Sequence, residues 1–213
     1  MFVSKIILMI YIILLLSNKK YYWWYPSINT NLLCYGKTYP DNNKEISIML
    51  NEYISKRTQD DINFFYLTDK DIITHFQNII RQDKMKRDDI RKLVISPKII
   101  NIIMLYKYIY NRPRPSQVAP NIINTSSKQF NSQKKAHEYG ILLNSETADT
   151  PSYPSGHAFQ AYYLAKILSK KFPKKKEQLM KLALRISNAR IIAGLHYPSD
   201  RDFAYWLVDN LLN

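Results

Sequence analysis

The sequence predicts an all-α protein: a single helical-bundle domain preceded by a hydrophobic helix. Two observations carry that expectation. Apolar residues recur at three-and-four spacing through six segments, and alternating strand-like patterns are scarce. At 213 residues the chain is long enough for one domain with a real core and short for two. Its 46% hydrophobic and 23% charged content is that of a globular protein, which argues against global disorder.

The first twenty residues differ in kind from the rest. Ile6 to Leu16, "IILMIYIILLL", is an unbroken apolar run with Lys5 before it and Lys19 and Lys20 behind. Counted from Phe2 to Ser17, it makes a short membrane anchor; the run alone fits the core of a signal peptide. "KKYYWWYP" follows without a small-residue cleavage site, and its aromatics suit a membrane interface, which favours an uncleaved anchor. The flanking charges balance, so orientation is not readable. Residues 1–20 are therefore expected to be an anchor or signal peptide, 21–40 a linker broken by Pro26, Gly36 and Pro40, and 41–213 the helical domain. No other segment is expected to reach membrane length.

Within the domain, Ile46, Met49, Leu50, Tyr53 and Ile54 share one helical face. A second helix is expected to start at Thr68 as N-cap, with acids in its first turn. A third opens on Ser96 and Pro97, where proline is tolerated, and must stop before "RPRP" at 112–115. Residues 115–135 read as a polar loop, and "GILLN" at 140–144 is ambiguous. Three further helices are expected over about 156–171, 174–195 and 199–212. The lysine-rich Lys170–Lys176 falls between two of them, as a solvated turn.

The net charge of +14 points to an anionic partner or to a merely soluble basic surface. A lone cysteine, Cys34, excludes an internal disulfide and a cysteine zinc pattern. Three clusters could meet one anion. Lys107 and Arg114 flank a helix end, where cations also favour the helix dipole. Ser155 and Gly156 open a helix whose first N–H groups are free, with His157 beside them. Arg190, His196 and Asp200 combine a guanidinium fork with a carboxylate four residues beyond an imidazole, close enough to fix its tautomer. Each cluster alone has an ordinary explanation: dipole compensation, a capped helix, or a surface His–Asp pair. Together they hold two of the four histidines and two of the four glycines.

In order and spacing, K-x6-R-P (Lys107 to Pro115), P-S-G-H (Pro154 to His157) and R-x5-H-x3-D (Arg190 to Asp200) resemble the type 2 phosphatidic acid phosphatase and vanadium haloperoxidase superfamily. "SYPSGHAF" and "ARIIAGLHYPSD" look most like its bacterial class A non-specific acid phosphatases, with Ala189 where serine is common. The resemblance implies a helical-bundle, metal-independent phosphohydrolase acting through a phosphohistidine. His196 would be the nucleophile, oriented by Asp200, and His157 the acid–base group. Lys107, Arg114, Arg190, the Ser155 hydroxyl and the Gly156 N–H would bind phosphate, and Arg112 is available as a second contact. It implies no cofactor: vanadate would inhibit, and would be a cofactor only for a haloperoxidase. The partner would be a phosphorylated small molecule or a lipid phosphate, at a membrane through the N-terminal segment, or outside the cytoplasm if that segment is cleaved. A lipid phosphate phosphatase, a haloperoxidase and a non-enzymatic basic tethered protein are the alternatives. Nucleic acid is not an expected partner, because no recognition module accompanies the charge.

Overall fold

The computed structural model describes residues 39–81, 85–119 and 141–212. The apolar run at 6–16, most of the 21–40 linker and Cys34 lie outside them. Among the described residues the protein is helical, with no strand. Helix α1, Asn42–Ile48, is capped by the Asp41 carboxylate and continues as a π-helical segment, Met49–Ile54. Helices α2, Gln59–Lys70, and α3, Ile73–Ile79, follow, then α4, Arg87–Val94, and α5, Pro97–Tyr110. A short α6, Pro115–Val118, comes after the "RPRP" break. Helices α7, Gly156–Lys171, and α8, Lys176–Ile192, form a hairpin about the 3-10 turn Pro173–Lys175, and α9, Pro198–Leu212, ends the domain.

Two helices expected as one, or not at all, have local causes. Thr58, not Thr68, caps the segment: its hydroxyl accepts from the Asp61 N–H at 3.2 Å, and Asp61 accepts from the Thr58 N–H at 2.9 Å. That reciprocal box is worth about 1 kcal/mol and starts the helix ten residues early. Thr68 is then interior, its hydroxyl bonded back to the Phe64 carbonyl at 2.8 Å, and the true break falls at Asp71. Helix α4 has no counterpart among the helices expected from the sequence. "GILLN" contributes bends rather than a strand. The lysine turn is solvated, with Lys170, Lys171, Lys174 and Lys176 exposed.

The hairpin α7–α8 is the most extensively packed pair and the axis of the domain. On one side α2, α3 and α4 bury Phe65, Phe76 and Ile90 against Leu164, Leu168, Leu179 and Ile186. On the other, α5 and α9 bury Ile99, Ile103, Phe203 and Leu207 against Ala158 and Phe159. Each fully buried phenylalanine contributes about 2 kcal/mol of transfer free energy. One run, Arg87–Val118, has the length and composition of a membrane span, contrary to the sequence expectation of no second such segment. Ser96 and Pro97 divide it, and α5 buries Ile99, Ile102, Ile103 and Tyr106 inside the protein.

This topology places three helix ends together. An antiparallel hairpin puts the start of α7 beside the end of α8; α9 begins six residues later, and the start of α7 meets α5 through Gly156 and Ile103.

Candidate active site

Ser155 is the N-cap of α7, its hydroxyl accepting from the Ala158 N–H at 3.4 Å and its own N–H donating to the Asp200 carbonyl at 3.0 Å. Gly156 and His157 are the first two helical residues, so their N–H groups have no acceptor within the helix. A Cβ on Gly156 would meet Ile103 Cγ2 at 3.7 Å, an ordinary contact. Packing alone therefore does not require glycine there.

Helix α5 ends at Asn111 in the left-handed region (φ 42°), with the Asn111 N–H on the Lys107 carbonyl at 2.8 Å. The turn sends Arg114 back beside Lys107. The Lys107 ammonium donates to the Pro151 carbonyl. Arg114 donates from Nε to the Thr150 carbonyl at 2.8 Å and from Nη1 to the Leu195 carbonyl at 2.9 Å. Both cations are buried together. Burial, then the neighbouring Arg114 charge, brings the Lys107 ammonium down to about 7, and burial and Arg190 bring Arg114 down to about 10.

His196 sits in the tight connection between α8 and α9. Gly194 makes that turn at φ 77°, and a Cβ there would lie 3.1 Å from the Ile141 carbonyl oxygen. Gly194→Ala is expected to lower stability by about 1–3 kcal/mol, measured by urea unfolding, because strain and a backbone contact act together. Pro198 then opens α9 and places Asp200 in its first turn, where Oδ2 accepts the Tyr197 N–H at 2.9 Å. The same oxygen accepts a hydrogen bond from His196 Nδ1, also at 2.9 Å. A carboxylate only accepts, so Nδ1 carries the hydrogen and Nε2 carries the lone pair. Arg114 Nη1, a donor only, lies 3.3 Å from that Nε2. Burial, followed by the fields of Arg114, Lys107 and Arg190, keeps the imidazole neutral, well below its ordinary pKa.

Arg190, on the last turn of α8, is held from below. Its Nη1 pairs with Asp69 at the end of α2, and Nη2 donates to Ser145 Oγ at 3.2 Å and Thr147 Oγ1 at 3.3 Å. Its Nε is buried with no hydrogen-bond partner among the described residues. Burial raises the Asp69 carboxyl, but hydrogen bonding and charge from Arg190, with Ser145 and Thr147, overcome this and hold it at about 2. The Asp69 carbonyl accepts from His157 Nε2 at 2.8 Å, leaving Nδ1 as the nitrogen free to exchange a proton. Burial, then Arg190, depresses His157 to about 3.

The eight residues singled out by spacing thus converge on one end of the bundle. Arg112 does not join them as an anion contact. It is fully buried, and its five N–H donors are taken by Asn42, Ser199, Asp200, Pro40 and Glu45. The sequence reading missed Asp69, Ser145, Thr147 and Glu45, which carry no motif and lie 43 to 154 positions from the side chains they hold.

The stretch that contains all eight is matched by a family model, described as the PAP2 superfamily, over residues 93–205. The chain belongs to the PAP2 superfamily. Comparison with curated proteins gives no significant match. PAP2 members are phosphatases or related phosphoryl-transfer enzymes, and phosphoester hydrolysis is the general activity that membership supports. Glu45 and Asp69 fall outside the PAP2 match; the helices before it contribute to the site nonetheless.

Proposed function

We propose that the protein is a metal-independent phosphomonoester hydrolase, akin to bacterial class A acid phosphatases, that acts through a phosphohistidine. The observation that carries this reading is the His196 ring: its lone-pair nitrogen faces Arg114 at 3.3 Å, within a buried group of cations, while Asp200 holds the opposite nitrogen. The orphaned Arg190 Nε supports it, because a buried donor without a partner is costly unless a ligand oxygen meets it.

A phosphate group would bind through Lys107, Arg114, Arg190, the Ser155 hydroxyl and the N–H groups at the start of α7. These donors are fixed before the substrate arrives and strengthen as charge develops on the non-bridging oxygens. His196 Nε2 attacks phosphorus, forming the N–P bond as the ester P–O bond breaks. The leaving oxygen takes a proton from His157 Nδ1. Water then attacks phosphorus and gives a proton to His157; the N–P bond breaks, and phosphate leaves with His196 neutral again. The dianion between Lys107 and Arg190 offsets the field that depresses His157 and raises its pKa toward the range in which it can act as an acid.

A polar cleft of about 360 Å³ between Asn111–Arg114 and Ala148–Pro151 adjoins Arg114 and suits a hydrophilic leaving group. The apolar run at 6–16 favours a lipid phosphate instead. Rates on p-nitrophenyl phosphate and on phosphatidic acid in micelles separate the two. Vanadate is expected to inhibit competitively at micromolar concentration by adopting the transition-state geometry on His196. No inhibition at high micromolar vanadate would contradict the site. Halide oxidation by peroxide and the vanadate-loaded protein would indicate a haloperoxidase instead.

A further inference from the structure

We propose that Glu45, on a helix outside the family match, and Arg112, in the turn after α5, are positioning residues that fix the carboxylate orienting the nucleophile. The connection is continuous. Glu45 Oε2 accepts from Arg112 Nη2 at 3.0 Å, Arg112 Nη1 donates to Asp200 Oδ1 at 2.8 Å, and Asp200 Oδ2 accepts from His196 Nδ1 at 2.9 Å. Arg112 and Asp200 are wholly buried and Glu45 nearly so.

The guanidinium is held on every side. Its carbon lies 3.8 Å from the centre of the Tyr197 ring, its Nε donates to Asn42 at 2.9 Å, and Nη1 also donates to Ser199 at 2.7 Å. Glu45 is tied in turn to the start of α9, accepting from the Ser199 N–H at 3.3 Å and from the Ser199 hydroxyl. So α1 is bound to the first turn of α9, which carries Asp200. Arg112 divides its charge between two carboxylates, and how much reaches Asp200 depends on Glu45.

That division has a sign. Asp200 must be ionised to hold the Nδ1 proton of His196. It is faced by Arg112, the Tyr197 N–H, Lys107, Glu45 and His196 itself. Burial pushes its carboxyl up, Arg112 and then the Tyr197 N–H and Lys107 oppose this, and Glu45 adds to the rise. Removing the Glu45 charge therefore lets Asp200 stay ionised to lower pH. Weakening Arg112 does the opposite.

The test is the pH dependence of kcat/KM for p-nitrophenyl phosphate, which reports groups in the free enzyme. In Glu45→Gln, which keeps the side-chain shape and one acceptor oxygen for Arg112 and the Ser199 hydroxyl, the acidic limb should move to lower pH by about half a unit or more. In Arg112→Lys it should move to higher pH by about one unit. A merely structural role would lower the amount of folded enzyme and leave both limbs in place. The kinetic readout rests on the proposed phosphatase function, so the same displacements are also read without turnover, from the Asp200 carboxyl carbon by NMR on aspartate-labelled full-length protein. A wild type without phosphatase activity but with opposite NMR displacements would overturn that function and leave this inference standing. An active wild type with Glu45→Gln unmoved, or moved to higher pH, would overturn the inference. Should Arg112→Lys fail to fold, Glu45→Gln alone decides.

Discussion

His196→Ala is expected to abolish phosphate release from an aryl phosphate, lowering kcat by about 10⁴-fold or more, as loss of a covalent nucleophile does elsewhere. The fold should survive. The ring is 3% exposed, but it hangs from a turn fixed by Gly194 and by backbone bonds, including Leu195 N–H to Arg190 carbonyl at 3.1 Å. The same variant should still bind inorganic phosphate, because Lys107, Arg114 and Arg190 are untouched. Calorimetric titration separates the two quantities: binding retained with turnover lost fits a nucleophile, whereas equal loss of both would make His196 a binding residue. His157→Ala should differ in kind. It should remain able to release good leaving groups such as p-nitrophenolate while losing alkyl phosphates, since protonation matters most for a poor leaving group.

The second large effect is expected at Asp69, a residue that no motif announces. It pairs with Arg190, accepts from Ser145 at 2.8 Å and Thr147 at 2.8 Å, and gives its backbone carbonyl to His157. Asp69→Ala leaves a guanidinium that is 1% exposed with no counter-charge, which costs about 3–5 kcal/mol. Urea unfolding should show that loss, and millimolar phosphate should recover part of it by supplying an anion to Arg190. A variant as stable as wild type, with unchanged turnover, would remove Asp69 from the site. Asp69→Asn, which keeps one acceptor, should fall between.

How much of this could be read from the chain follows from the distance over which each interaction acts. The His196–Asp200 pair is legible because four residues across a helix start bring an imidazole and a carboxylate together whatever surrounds them. Pro97 as a helix opener and the break at Arg112–Pro115 are equally local. The end of α7 and the start of α8 are legible because Pro173 and the lysine run mark the turn between them. Thr58 and Thr68 show where local reading fails: both precede acids, and only the bonds each hydroxyl makes distinguish a cap from an interior threonine. Arg112 shows another limit. Two arginines, two residues apart in one proline-rich turn, have opposite fates. The turn points Arg114 at His196, and Arg112 into a cage built by α1 and α9. Glu45 and Asp69 became site residues only through packing across 67 and 121 positions, which spacing cannot encode.

The electrostatics show why the cage matters. Lys107, Arg114 and Arg190 meet at the candidate site, where among the described residues Asp69 is the one carboxylate directly paired with any of them; Asp200 pairs instead with Arg112 and His196. Burial is the first cause of the depression of both histidines; the fields of Arg190 and Lys107 add to it, joined at His196 by that of Arg114. On the proposed mechanism an arriving phosphate dianion would offset those fields, so that binding and the activation of His157 would be one event.

The central claim is that a covalent bond forms between His196 Nε2 and phosphorus, and acid-free rapid quench of the full-length protein with ³²P-labelled p-nitrophenyl phosphate tests it most directly. The account predicts a labelled protein whose phosphate resists alkali, is released by mild acid, and maps to the peptide containing His196. Turnover with no label on the protein, or label on any other residue, would contradict it.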